Sequence, residues 1–157
     1  MEFQFENNFP PRLFEVQGSS TLAEAVPGAS TFPTIDPVNI VQSDQALHVN
    51  FNWNCTGIGV GWWYVRWVIG VHFEAYGIPE GPASFSSTIP PAFLLPSYSQ
   101  TITIPPGTLA PAPPAVTTGR HVYRVITSIV CQSGNSPHNV TLVAGHTEPK
   151  TIQVYSD

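Results

Sequence analysis

With 157 residues, the chain has the size of one domain and is long enough to bury a substantial core. Only 10% of its residues are charged and its formal net charge is −5, with five Lys and Arg in all. So few cations cannot lay the track that phosphates require, which argues against nucleic acid and against an anionic membrane surface.

The 17 Pro and 12 Gly disfavour helix interiors and point to a turn-rich β-protein. No apolar run approaches the ~20 residues of a membrane-spanning helix, so no membrane insertion is expected. Residues 1–36 hold no sustained period and contain Pro10, Pro11, Pro27 and Pro33. Met1, Phe3 and Phe5 alternate with Glu2, Gln4 and Glu6 as in a short strand, and the stretch 18–25 has room for one helical turn. This segment is expected to be an extended N-terminal arm, ordered where it lies on the domain or on a neighbour. Added to an open sheet edge of another copy, it would fill pockets with Phe3, Phe5 and Phe9. Its acidic, alternating start does not read as a Sec leader, so the expectation is a cytoplasmic chain, export by a non-Sec route or release from a longer precursor.

The β-sandwich proper is expected over residues 37–157. Val38–Val41 reads as a short first strand. In Ala46–Cys55, Leu47, Val49, Phe51 and Trp53 share one face, and His48, Asn50, Asn52 and Asn54 share the other. A glycine-rich connection leads to the run Trp62–Glu74, where Trp63, Val65, Trp67, Ile69, Val71 and Phe73 alternate with Arg66, His72 and Glu74. A period of two with large rings on one phase is a central strand buried on one face. Ser84–Ile89 is a weak strand followed by an apolar loop through Pro96. Tyr98–Ile104 is a clear strand stopped by Pro105, Pro106 and Gly107, and residues 110–119 form a Pro/Ala loop. Arg120–Cys131 is the second long strand; Val140–Ala144 and Thr151–Tyr155 complete the set, with a break near Gly145 and Pro149.

About seven to eight strands without a long helix predict an all-β, immunoglobulin-like antiparallel sandwich, with a jelly roll as the competing double-sheet arrangement. The weak strand takes the D position in that order. Cys55 and Cys131 both fall on core phases, which suits either a buried inter-sheet disulfide or two free thiols packed as small apolar groups.

Chemistry-bearing patterns are scarce. The five His show no His-x-His or Glu-x-x-His spacing, so no metal or other cofactor is expected. No Gly-x-Ser-x-Gly occurs and both cysteines lie on buried phases, so an enzyme is not expected. Glu74 is the best single acid, a pair with Glu148 would need distant parts of the chain, and pairing of Glu74 with Arg66 or Arg124 is the ordinary reading. Trp62 and Tyr64 lie on the phase opposite the core. Left open, they would stack with Tyr76 on sugar rings, His48, Asn50 and Asn52 supplying hydrogen bonds; otherwise the N-terminal arm covers them.

Four segments resemble a bacterial immunoglobulin-like β-sandwich family. They are Trp63–Glu74 continuing through Ala75-Tyr76-Gly77-Ile78-Pro79-Glu80, then Tyr98–Leu109, then Val122–Thr127, and the close from Ala144-Gly145-His146-Thr147-Glu148 through Ile152–Tyr155. The resemblance spans about residues 46–155, omits the N-terminal segment and does not include the cysteines. It implies a non-enzymatic sandwich. The expected function is a structural or interaction module that self-associates through its arm or binds another protein; the alternative is a carbohydrate-binding module using the Trp62/Tyr64 face.

Overall fold

The computed structural model describes residues 1–7, 9–24, 40–76, 83–109, 120–137 and 140–155. These form ten strands: β1 Phe3–Asn7, β2 Glu15–Glu24, β3 Ile40–Gln42, β4 Leu47–Thr56, β5 Tyr64–Ala75, β6 Ala83–Phe93, β7 Ser97–Ile104, β8 Arg120–Ser133, β9 Thr141–Thr147 and β10 Lys150–Tyr155. No helix occurs among the described residues. The 110–119 loop lies outside them.

Two sheets pack face to face. The smaller runs β2–β4–β7, antiparallel throughout. In the larger, β5 pairs with β6 on one edge and with β8 on the other. The far edge of β8 is shared: β10 covers Arg120–Val125 and β9 covers Ser128–Gln132. β1 then adds antiparallel to β9, and β3 adds parallel to β10. Alternation dictates what fills the interior. Val49, Phe51 and Trp53 from β4 face Trp67, Ile69, Val71 and Phe73 from β5, with Val125 and Ile129 from β8 beside them, all buried. At the centre the Trp53 ring meets Trp67 edge to face at 5.3 Å and stacks on Tyr98 at 5.0 Å.

The N-terminal segment, expected as an arm, supplies two strands of this same sandwich. β2 is an edge of the smaller sheet, and the helical turn expected over 18–25 is strand up to Glu24. Its alternation is hidden because Gly18 and Ser20 occupy inward positions between Val16 and Leu22. Gly18 is required by close approach, since a side chain there would meet the Asn52 carbonyl and the Trp53 Cβ at 2.7 Å. Ser20 is completely buried, and its hydroxyl lies 2.8 Å from that of Thr127, which lies 3.0 Å from that of Thr147. One hydroxyl chain thus joins β2 to β8 and β9, across the two sheets, and satisfies groups that would otherwise be orphaned. β1 closes the same side: Glu2 bridges Ser19, and the Ser20 N–H donates to the Met1 carbonyl at 2.8 Å. Phe3 stacks on Phe51 at 6.1 Å, Phe5 lies 5.6 Å from Phe3, and Phe9 packs edge-on against Trp63 at 5.0 Å. All three residues expected to reach a neighbour pack on their own chain.

Two further expectations need correcting. The weak strand is longer than Ser84–Ile89 and lies beside β5 in the larger sheet rather than in the D position next to β7. It continues through Pro90 and Pro91 because both fall opposite Arg66 at a bulge, where a ladder donor is dispensable. The disulfide is absent: Cys55 and Cys131 are free and buried. Trp67 is the ladder partner of Cys131, and Trp53 precedes Cys55 on the same face of β4. Both thiols belong to the same buried core cluster as these indoles and pack there as small apolar groups. Burial pushes the Cys55 thiol up to about 12 and raises that of Cys131 further, with repulsion between the two as a second cause. Native protein at mildly alkaline pH is therefore expected to resist a thiol reagent, and denatured protein to titrate two thiols per chain. A bridged pair would titrate none in either state.

Candidate functional site

The most exposed aromatic chemistry of the described chain gathers at one end of the sandwich. The connection from β4 to β5 turns at Gly57 and Gly61, whose φ values of +110° and +83° suit glycine. Gly57 also lies so close to Leu13 that a side chain there would strike its carbonyl. Backbone bonds tie this loop to two neighbours: Gly59 N–H to the Leu13 carbonyl at 3.1 Å, Gly61 N–H to Leu94 at 2.8 Å, and Leu94 N–H to Trp63 at 2.7 Å. Trp63 is the inward anchor, packed on Phe9 and, at 5.4 Å, on Phe14. Trp62 projects outward, 80% exposed. Tyr64 opens the outward phase of β5 at 43% exposure, with Phe93, 60% exposed, edge-on against it at 5.7 Å.

Beside these rings lies a cleft of about 390 Å³. Phe9, Trp62, Trp63 and Tyr64 form its aromatic wall; Ser133 and Asn135 supply polar groups, with Leu142 beneath. None of these side chains is charged, so the cleft suits an uncharged ligand with an apolar face and hydroxyl or amide groups. A wider groove of about 570 Å³ lies between β1 and β2, where Glu2, Gln17, Asn52 and Asn54 line it and Phe3 and Phe5 are half-buried. It presents no ring face comparable to Trp62.

Of the residues expected to bind, only Trp62 and Tyr64 come together. Tyr76 follows the opposite end of β5, about 40 Å from Tyr64 at ~3.3 Å per residue. His48, Asn50 and Asn52 lie on the outer face of the smaller sheet, whereas Tyr64 belongs to the larger. There His48 is buried, with Nδ1 2.9 Å from the Thr103 hydroxyl, and desolvation lowers its pKa. Asn50 accepts a hydrogen bond from Thr101 at 2.7 Å, and Asn52 is exposed. Of the described N-terminal residues, Phe9 packs on Trp63, whereas Trp62 is exposed. Phe93, Ser133, Asn135 and Leu142 were not foreseeable from local pattern. What brings them in is register: Phe93 is the ladder partner of Tyr64, and Gly134 donates to the Tyr64 carbonyl at 2.8 Å.

The acidic candidates stay apart in their contacts. Glu74 lies 3.8 Å from Arg124 and 3.6 Å from His72, half-exposed, an arrangement worth little in water. Glu148 instead accepts from Gln4 at 3.1 Å. Among the described residues no three His, Cys, Asp or Glu side chains converge as a metal set. The chain matches no protein-family model and no curated protein sequence.

Proposed function

We propose that this chain is a non-catalytic recognition module of immunoglobulin-like strand order, akin to the bacterial sandwich family its sequence resembles, and that it holds an uncharged saccharide in the cleft beside Trp62. Support for the strand order comes from β4 and β7 sharing one sheet while β5 and β8 share the other. The observation that carries the binding reading is Trp62 itself, 80% exposed on a loop fixed by backbone bonds to two others. An indole displayed on a rigid frame contributes little to folding, and a partner that meets it loses little ordering entropy. The apolar ring face of a sugar stacks on such an indole, while Ser133 and Asn135 offer partners for its hydroxyls. Neither nucleic acid nor lipid is proposed as a ligand. Self-association through Phe3, Phe5 and Phe9, the other reading of the sequence, would require those rings to leave their own core.

A glycan array followed by calorimetry tests the proposal. Wild-type protein should retain a neutral oligosaccharide, and the Trp62→Ala/Tyr64→Ala variant should bind it about tenfold more weakly or worse, the loss expected of a hot-spot aromatic. Its thermal midpoint should be unchanged, because both rings are exposed. A wild-type protein that retains no neutral glycan, or a variant that retains it fully, defeats the reading.

A further inference from the structure

The side of the Trp62 cleft away from the rings is built where β8 hands over to β9, from Ser133, Asn135 and Leu142. The backbone here is held at each step. Ser133 N–H donates to the Val140 carbonyl at 2.9 Å, and Asn135 N–H donates to the Ser133 hydroxyl at 3.3 Å. Between them Gly134 is buried so close to Tyr64 that a side chain would strike its ring at 2.5 Å. Asn135 itself is exposed, displayed from this fixed turn. Leu142 reaches the cleft through a bulge. Cys131 pairs with Val143 and Gln132 with Thr141, so Leu142 is the extra residue of β9. Bulges of this kind re-aim a side chain beside a site. Leu142 lies half-buried between exposed Thr141 and buried Val143.

We infer that the sugar is a neutral N-acetylhexosamine whose acetamido group lies between Asn135 and Leu142, an assignment that rests on the saccharide reading of the same cleft. An acetamido group carries an N–H, a carbonyl and a methyl. A carboxamide both donates and accepts, so Asn135 complements the amide, while Leu142 takes the methyl out of water. A plain hexose has a hydroxyl in that position, and a hydroxyl pressed on a leucine loses its water without gaining a partner. Uronic and sialic acids, and amino sugars stripped of the acetyl group, would bring a charge that no lining side chain offsets. Shape agrees. At about 390 Å³ the cleft lies at the low end of the ~300–1,000 Å³ usual for small-molecule sites, which suits a sugar unit with its substituent. The Tyr64 and Phe93 rings, inclined to each other by 70°, make no flat platform for a crystalline glycan.

Calorimetry of the full chain with tri-N-acetylchitotriose and with cellotriose decides the matter. The acetylated sugar should bind about tenfold more tightly, the scale of one methyl group in an apolar pocket. Asn135→Ala and Leu142→Thr should each narrow that preference to about threefold or less, the first by removing the amide partner and the second by removing the apolar contact. Trp62→Ala should instead weaken both sugars alike and leave the preference standing. Two sources share the group: chitin-type chains, and bacterial wall glycan, whose alternate sugars add a carboxylate. With no cation in the lining, the chitin fragment should bind better than the N-acetylglucosamine–N-acetylmuramic acid disaccharide. Cellotriose bound as tightly as its acetylated counterpart overturns the inference and leaves the saccharide reading intact. So does a preference that survives either substitution, or tighter binding of the wall disaccharide. Binding of none of these sugars, nor of any other neutral glycan, defeats both.

Discussion

Trp67→Ala is expected to cost about 3–5 kcal/mol, the range for deleting a large aromatic from a packed core. Set against the ~5–15 kcal/mol of net stability of ordinary domains, such a loss brings the chain close to unfolding at body temperature. The site cannot collapse easily. Trp67 is fully enclosed, contacts Trp53 at 5.3 Å and Tyr98 at 5.5 Å, and is the ladder partner of Cys131. Removing it leaves two rings on the smaller sheet without their counterpart, and both are held in place by the ladder between β4 and β7. Burial raises the pKa of Tyr98, opposed in part by the backbone N–H of Leu95 and by the nearby Trp67 indole. Tyr98 should therefore ionise at lower pH in the variant, where its hydroxyl gains access to water. Urea unfolding with an unchanged slope and a lowered midpoint is the measurement. Trp67→Phe should lose less. It keeps a ring and removes an indole N–H that does not reach good hydrogen-bond geometry, as the Trp53 N–H also does not. Wild-type stability in Trp67→Ala would mean that the aromatic centre does not hold the sheets together.

The same residue shows how far sequence reaches. Trp67 lies in the middle of a period of two that spans β5, and wherever such a period was strong, in β4, β5, β7 and β8, strand and inward face were legible. Two features resisted. β2 hides its period because the sandwich needs a glycine and a serine at inward positions, each justified only by a residue far along the chain, Trp53 and Thr127. β6 hides because Pro90 and Pro91 read as a loop until the bulge opposite Arg66 is known. The candidate cleft was half legible. Trp62 and Tyr64 declare themselves by phase, whereas Ser133, Asn135 and Phe93 reach them only through ladder register. His48, Asn50 and Asn52 shared a polar phase with nothing to show that their strand belongs to the other sheet. Cys55 and Cys131 pointed into one interior, as expected, but phase alone does not decide between a bridge and two packed thiols, and both are free.

Gly18→Val should have the next largest effect, about 3 kcal/mol, the upper part of the range for overpacking a rigid site. Gly18 has no unusual φ; what demands glycine is proximity. A Cβ would meet the Asn52 carbonyl oxygen and the Trp53 Cβ at 2.7 Å and the Trp53 Cα at 3.1 Å. These are backbone and first side-chain atoms in the central strand of the smaller sheet, with no flexible end to swing aside. β2 must therefore lift from β4. With it go the Ser20 hydroxyl that Thr127 uses and the backbone bond from Ser20 to Met1. The loss should consequently be localised: amide exchange should quicken in β1, in β2 and near Thr127 before it does in β5. Gly18→Ala should show the same pattern at smaller amplitude, since it adds the clashing atom without the branched bulk. If Gly18→Val instead left stability and exchange of residues 1–24 untouched, those residues would lie on the sandwich rather than form part of it, and the edge at β2 would be as open as that at β6.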